Sequence, residues 1–174
     1  MKGLLSVLLI SVLCACAFNR KVDLQPRSLP EGAVQFIKPG KPIVLANVSE
    51  KTDDARLTKC AVDLYIVGRL YAFTETYIGT AKDALSRSGV VVENNADKSI
   101  AIAVTSIGCV NRSTSAKTTV NISVRTGDGY STTITGEAAV SNIVYGASGA
   151  YEEAIMDGVT KMLKDNNVIS YVEK

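Results

Sequence analysis

The chain opens with Met1, Lys2 and an apolar run from Leu4 to Leu13, passes through a polar stretch containing Pro26, Pro30, Pro39 and Pro42, and from Ile43 onward carries regular periodicities. Ile43 to Ala46 is a short apolar run suited to a first strand, and Glu50-Lys51-Thr52-Asp53-Asp54 reads as a loop. Cys60, Val62, Leu64 and Ile66 alternate within Cys60 to Leu70, predicting a second strand. Thr74 is placed to cap a helix over Glu75 to Ser88, with Tyr77, Ile78, Ala81, Ala84 and Leu85 on one face and Gly89 as terminator. Val90 to Val92 reads as a short strand or the approach to one. Ile100, Ile102 and Val104 then alternate with Ala101, Ala103 and Thr105 in a strand apolar enough for a central position.

Thr118 to Arg125 and Tyr130 to Ser141 flank Gly127-Asp128-Gly129 and predict a β-hairpin. A one-residue slip would oppose Val124 to Ser131 and mix apolar with polar positions. The register that keeps the faces separate pairs Ile122 with Ile134 and Asn121 with Thr135, and puts Gly129 in a left-handed conformation. A last helix is expected near residues 149 to 165, capped by Ser148. Tyr151, Ala154, Ile155, Gly158, Val159, Met162 and Leu163 face inward, and Glu152, Glu153, Asp157, Lys161 and Lys164 face water. Val168 to Val172 reads as a final short strand or packed tail. The order β-β-α-β-β-β-α implies an α+β fold, an antiparallel or mixed sheet with two helices packed on one face.

Composition narrows the chemistry. Zero histidines in 174 residues exclude Ser-His-Asp and Cys-His catalysis, imidazole-ligated zinc and any histidine switch. Nineteen Lys and Arg against 17 Asp and Glu give +2, too scattered a balance for a nucleic-acid surface. Gly146-Ala147-Ser148-Gly149-Ala150 departs from a nucleophile elbow at its fifth position, and no Ser-x-x-Lys or Lys-Thr-Gly occurs. The expectation is a chain that is not an enzyme and needs no cofactor or metal. The opposing reading, a glycan hydrolase working without histidine, requires a cleft that joins carboxylates from distant segments.

The ten-residue run from Leu4 to Leu13 is half the roughly 20 residues a membrane-crossing helix needs, and suits a signal-peptide core. It leads into Leu13-Cys14-Ala15-Cys16, which resembles a lipobox. Cys16 is the expected lipidation site, since processing at Cys14 would follow the bulky Leu13. An ordinary cleaved secretory signal is the competing reading. Residues 1–15 are then a discarded signal, 16–41 a lipidated, extended, proline-rich tether part of which packs on the domain through Val34, Phe36 and Ile37, and 42–174 one periplasmic domain. Two or three acyl chains hold a protein at a membrane where one does not. The resemblance to a lipobox implies the enterobacterial sorting pattern, in which Ala17, in place of an aspartate, points to the outer membrane of a source that has one.

Through this lipobox, Val22-Asp23-Leu24-Gln25-Pro26, Glu50 to Asp54, Ser86-Arg87-Ser88-Gly89, the strand Ser99 to Ile107, the Gly-Asp-Gly hairpin and Asp165-Asn166-Asn167, the chain resembles the YajG family of bacterial lipoproteins. The resemblance implies an envelope protein facing the periplasm and carries over no catalytic residue. The pair Cys60 and Cys109 is outside that pattern.

Two sites follow. Cys60 and Cys109 are the remaining cysteines of the mature chain, in a compartment that permits a disulfide; two separately buried thiols is the other reading. Thr119, Asn121, Ser123, Arg125, Ser131, Thr133, Thr135 and Glu137 share the non-core face of the hairpin. Such a face suits an envelope protein or peptidoglycan partner, or it is the solvated face antiparallel sheets ordinarily have. The functional expectation is an envelope-binding or structural lipoprotein, or an accessory subunit of a secretion or transport machine.

Overall fold

The computed structural model describes residues 17–111, 115–141 and 143–174. Cys16 and the residues before it, where a signal segment is expected, lie outside them. Among the described residues, seven strands and three helices are formed: β1 (Phe18–Lys21), β2 (Ile43–Asn47), β3 (Ala55–Ala61), β4 (Leu64–Gly68), α1 (Leu70–Arg87), β5 (Lys98–Asn111), β6 (Ala116–Thr126), β7 (Ser131–Val140), α2 (Ile143–Met162) and α3 (Asn166–Glu173). The fold is α+β with mixed sheets, one ordered β2-β5-β6-β7 and a smaller one ordered β1-β4-β3. Among the described residues no helix is long and apolar enough to cross a membrane.

β5, β6 and β7 form an antiparallel meander, and β2 joins β5 in parallel. The hairpin has the register its side-chain faces require, Ile122 opposite Ile134 and Asn121 opposite Thr135, and Gly129 turns with φ +96°. On the inner face Ile100, Ile102, Val104, Val120, Ile122, Val124 and Ile134 are buried under α1 and α2, which bring Phe73, Tyr77, Tyr151, Ile155 and Met162. The buried Tyr77 hydroxyl donates to the Gly158 carbonyl at 3.1 Å, and burial pushes its ionisation far up, so it stays a neutral donor. A Cβ on Gly136 would collide with the Ala154 carbonyl and lie 2.8 Å from the Gly158 amide nitrogen. Backbone contact between β7 and α2 therefore requires glycine at this position.

α1 starts at Leu70, five residues before the expected first helical residue, Glu75. Thr74 is buried within the helix, where its hydroxyl bonds the Leu70 carbonyl at 3.0 Å and accepts the Val104 amide at 2.8 Å. β2 has ended by this point of β5, and the threonine takes the amide a longer strand would have taken. The helix ends as expected. Gly89 has φ +88°, Val90 donates to the Leu85 carbonyl and Gly89 to that of Ser86, so the last carbonyls are satisfied.

The stretch Cys60 to Leu70 is not one strand. It breaks at Val62 and Asp63 into the β3–β4 hairpin, because Val62 sits at the turn and is exposed. Ser148 does not cap the last helix. α2 begins at Ile143, with non-helical geometry at Gly146, and the Ser148 hydroxyl accepts the Asp23 amide at 3.1 Å. Val168 to Val172 is helical. Asp165 caps α3 by accepting from the Asn167 and Val168 amides, and Val168, Tyr171 and Val172 fall at i, i+3, i+4 on its buried face.

Gly136→Ala is expected to cost about 1–3 kcal/mol by overpacking, whereas Gly149→Ala, with open space around its Cβ, leaves stability equal or higher. Urea unfolding of the two variants checks the contrast, and equal stabilities would refute the β7–α2 contact.

Candidate functional site

Among the described residues, four regions bring together side chains with chemistry. The first is the outer face of the four-stranded sheet. The register aligns Thr119 with Glu137, Asn121 with Thr135, Ser123 with Thr133 and Arg125 with Ser131, so all eight residues expected there share one face. β5 adds Ala101, Ala103, Ser106 and Gly108. Arg125, Ser131, Thr133 and Glu137 are exposed, and α1 and α2 pack on the opposite, buried face. Its centre is an ordered polar ladder: the Thr135 hydroxyl bonds the Asn121 amide oxygen at 2.7 Å, and the Asn121 amide nitrogen donates to the Ser106 hydroxyl at 2.9 Å. Lys117 pairs with Glu137 at 2.9 Å. The open edge of β7 is closed locally by α2, whose Asp157 accepts the Glu137 amide and whose Lys161 donates to the Thr135 carbonyl. Those charges blunt the edge against strand addition.

The second region is the segment from Phe18 to Lys38, read from sequence largely as a tether. It is extended, but it lies on the domain. β1 pairs with β4, and Val22, Leu29 and Ile37 are buried. Pro26 packs where a Cβ on Gly79 would meet it at 2.6 Å, the Arg27 amide bonds Thr80, and Arg87 donates to the Leu29 carbonyl. The clasp is Glu152. Expected to face water, its side chain is only 6% exposed: one oxygen accepts the Gln25 amide at 2.9 Å and the other meets Arg27 at 2.6 Å. Helical periodicity places Glu152 next to the apolar stripe, and only the strap makes that position an interior one.

The third region holds the cysteines and the β1-β4-β3 sheet. The Cys60 and Cys109 sulfurs are at disulfide distance, 2.11 Å, with Cα atoms 4.9 Å apart, tying the small sheet to the end of β5. On the outer face of the small sheet the Arg56 guanidinium stands 4.4 Å from the Tyr65 ring centre and the Lys59 ammonium 5.6 Å. Sequence reasoning missed this group. Its signal was Tyr65 at the polar phase of the Leu64-Ile66 alternation, with cations at 56 and 59 on the preceding strand.

A concavity of about 150 Å³ joins two carboxylates from distant segments, Asp23 and Asp54, beside Lys21 and Arg69. Asp54 is ion-paired to Lys21 at 2.6 Å and to Arg69 at 3.5 Å, and the Lys21 hydrogen bond above all holds its carboxyl below the usual range. A general acid for glycoside cleavage needs the opposite shift, whereas the second carboxylate of such a pair stays ionised. Among the described residues no cluster of His, Cys, Asp and Glu is arranged to hold a metal ion.

Glu152→Ala is expected to destabilise the protein by about 1–3 kcal/mol, since it strands the Gln25 amide and removes a charged acceptor. It also exposes the strap to trypsin at Arg27; unchanged cleavage would refute the clasp. Replacing Cys60 and Cys109 with Ala is expected to cost up to about 4 kcal/mol if the bond closes its 49-residue separation. Maleimide uptake at both positions in the denatured, unreduced chain would refute the bond. Compared with known family models and with curated proteins, the chain matches none.

Proposed function

We propose that this protein is a lipoprotein anchored at Cys16 in the outer membrane, facing the periplasm, with a non-enzymatic role in which the polar sheet face engages an envelope partner. The observation that carries the reading is Leu13-Cys14-Ala15-Cys16 at the end of an apolar run too short to span a bilayer. A cysteine pair at disulfide distance supports an oxidising compartment, and the resemblance to YajG lipoproteins agrees with it. The partner face is favoured over the small concavities because it is broad, ordered and uncovered, with Arg125 and Glu137 at its ends and a hydroxyl-amide ladder between them. That chemistry suits the hydroxyls and amides of peptidoglycan or a polar protein surface.

Labelling cells with a fatty-acid analogue is expected to mark the wild type and not Cys16→Ser; equal labelling refutes the anchor. A photocrosslinking residue at Thr133 is expected to give an adduct in intact cells that Arg125→Glu abolishes without lowering thermal stability. An identical adduct from the same residue placed at Val91, away from this face, refutes the partner surface.

A further inference from the structure

The acyl chains are not the only membrane contact the fold offers. β1 starts at Phe18, two residues beyond Cys16. Two extended residues reach about 7 Å, close to the thickness of one headgroup layer, about 5–7 Å. If Cys16 is acylated, the first strand therefore begins within the headgroup zone. The Phe18 amide donates to the Asp63 carbonyl at 2.5 Å, so the chain enters the fold beside the β3–β4 turn. Val62, on that turn, is 79% exposed, and Phe18 is 55% exposed. Val110 is also exposed, and the Cys60–Cys109 pair brings it to the same end. Three of the six exposed large apolar side chains among the described residues thus gather where the chain would leave the lipid.

Cations flank them. Asn19 and Lys59 are both register partners of Tyr65, and Arg56 donates to the Asn19 amide oxygen at 3.0 Å while stacking on the Tyr65 ring. Among the described residues neither Arg56 nor Lys59 has an ion-pair partner, whereas Lys21, on the same side, is held by Asp54. Asp63 is the opposing charge on the turn. A tyrosine with two unpaired cations beside exposed apolar side chains is the arrangement an anionic bilayer surface takes: apolar tips below the phosphates, ammonium and guanidinium groups on them, the phenol between.

We infer that this end of the β1-β4-β3 sheet docks on anionic phospholipid, with Phe18 and Val62 entering the interface and Arg56 and Lys59 contacting phosphate. The inference rests on acylation of Cys16 and fixes the domain's orientation: the β3–β4 turn faces the bilayer, and the Ile43–Lys98 end of the large sheet lies away from it. Eleven residues of β5 separate Lys98 from Cys109, about 35 Å at strand rise.

The chain contains no Trp, so a single introduced indole reports its own position. The full acylated chain carrying Val62→Trp is reconstituted into vesicles of phosphatidylcholine with or without phosphatidylglycerol, each with brominated acyl chains as quencher. The expected result is blue-shifted, quenched emission that requires phosphatidylglycerol, with no such change for Val91→Trp. Arg56→Gln and Lys59→Gln, added singly, should each lower the docked-to-undocked ratio about five-fold, the effect of roughly one surface cation. Emission that is the same in both vesicle types, or equal quenching at positions 62 and 91, overturns the docking surface. The intact mass of the same preparation reads acylation separately: a mature chain without acyl mass but with phosphatidylglycerol-dependent quenching overturns the anchor and supports the docking surface.

Discussion

β5, β6 and β7 present Ile100, Ile102, Val120, Ile122, Val124 and Ile134 to one side only, and α1 and α2 cover them so closely that β7 and α2 touch backbone to backbone at Gly136 and Gly158. Burial of these branched side chains, each worth about 1.5–3 kcal/mol, fixes which face of the sheet is closed. The other face is then left to polar residues. Its order comes from the cross-strand ladder through Asn121, and its isolation from strand addition comes from Asp157 and Lys161 of the covering helix. One packing contact thus determines the core, the open face and the protection of the edge.

The strap extends the same logic to the N-terminal segment. Proline removes backbone donors and keeps the chain extended, but extension does not separate it from the domain, since Val22, Leu29 and Ile37 still bury and Glu152 supplies acceptors that a free tether would find in water. The small sheet gains its third strand because β1 pairs with β4, and the Cys60–Cys109 pair holds it to β5. Whatever holds the N-terminus therefore holds the domain directly, through a strand rather than a spacer.

Local signals were legible wherever neighbours in sequence are neighbours in space. The hairpin register, the left-handed Gly129 and the glycine stop of α1 each depend on a few adjacent residues, and alternation alone placed the eight residues from Thr119 to Glu137 named above on one face. α3 was misread: Val168 to Val172 looked like a short β-branched strand or tail, although Val168, Tyr171 and Val172 have helical spacing after a capping Asp165. The alternation from Cys60 to Ile66 misled because a two-residue turn preserves the period of two that a continuous strand would show.

By itself the sequence determined the α+β class, the polarity of the two faces of the β6–β7 hairpin, and the absence of histidine chemistry. Tertiary structure alone decided that Glu152 is interior, that Thr74 serves the amide of Val104 rather than a helix start, and that residues 18 to 38 wrap the domain. The physical reason is the same in each case. Burial and hydrogen-bond partnership belong to pairs of residues dozens to more than a hundred positions apart, as Gln25 is from Glu152, and periodicity reads only what lies within a turn or two of chain.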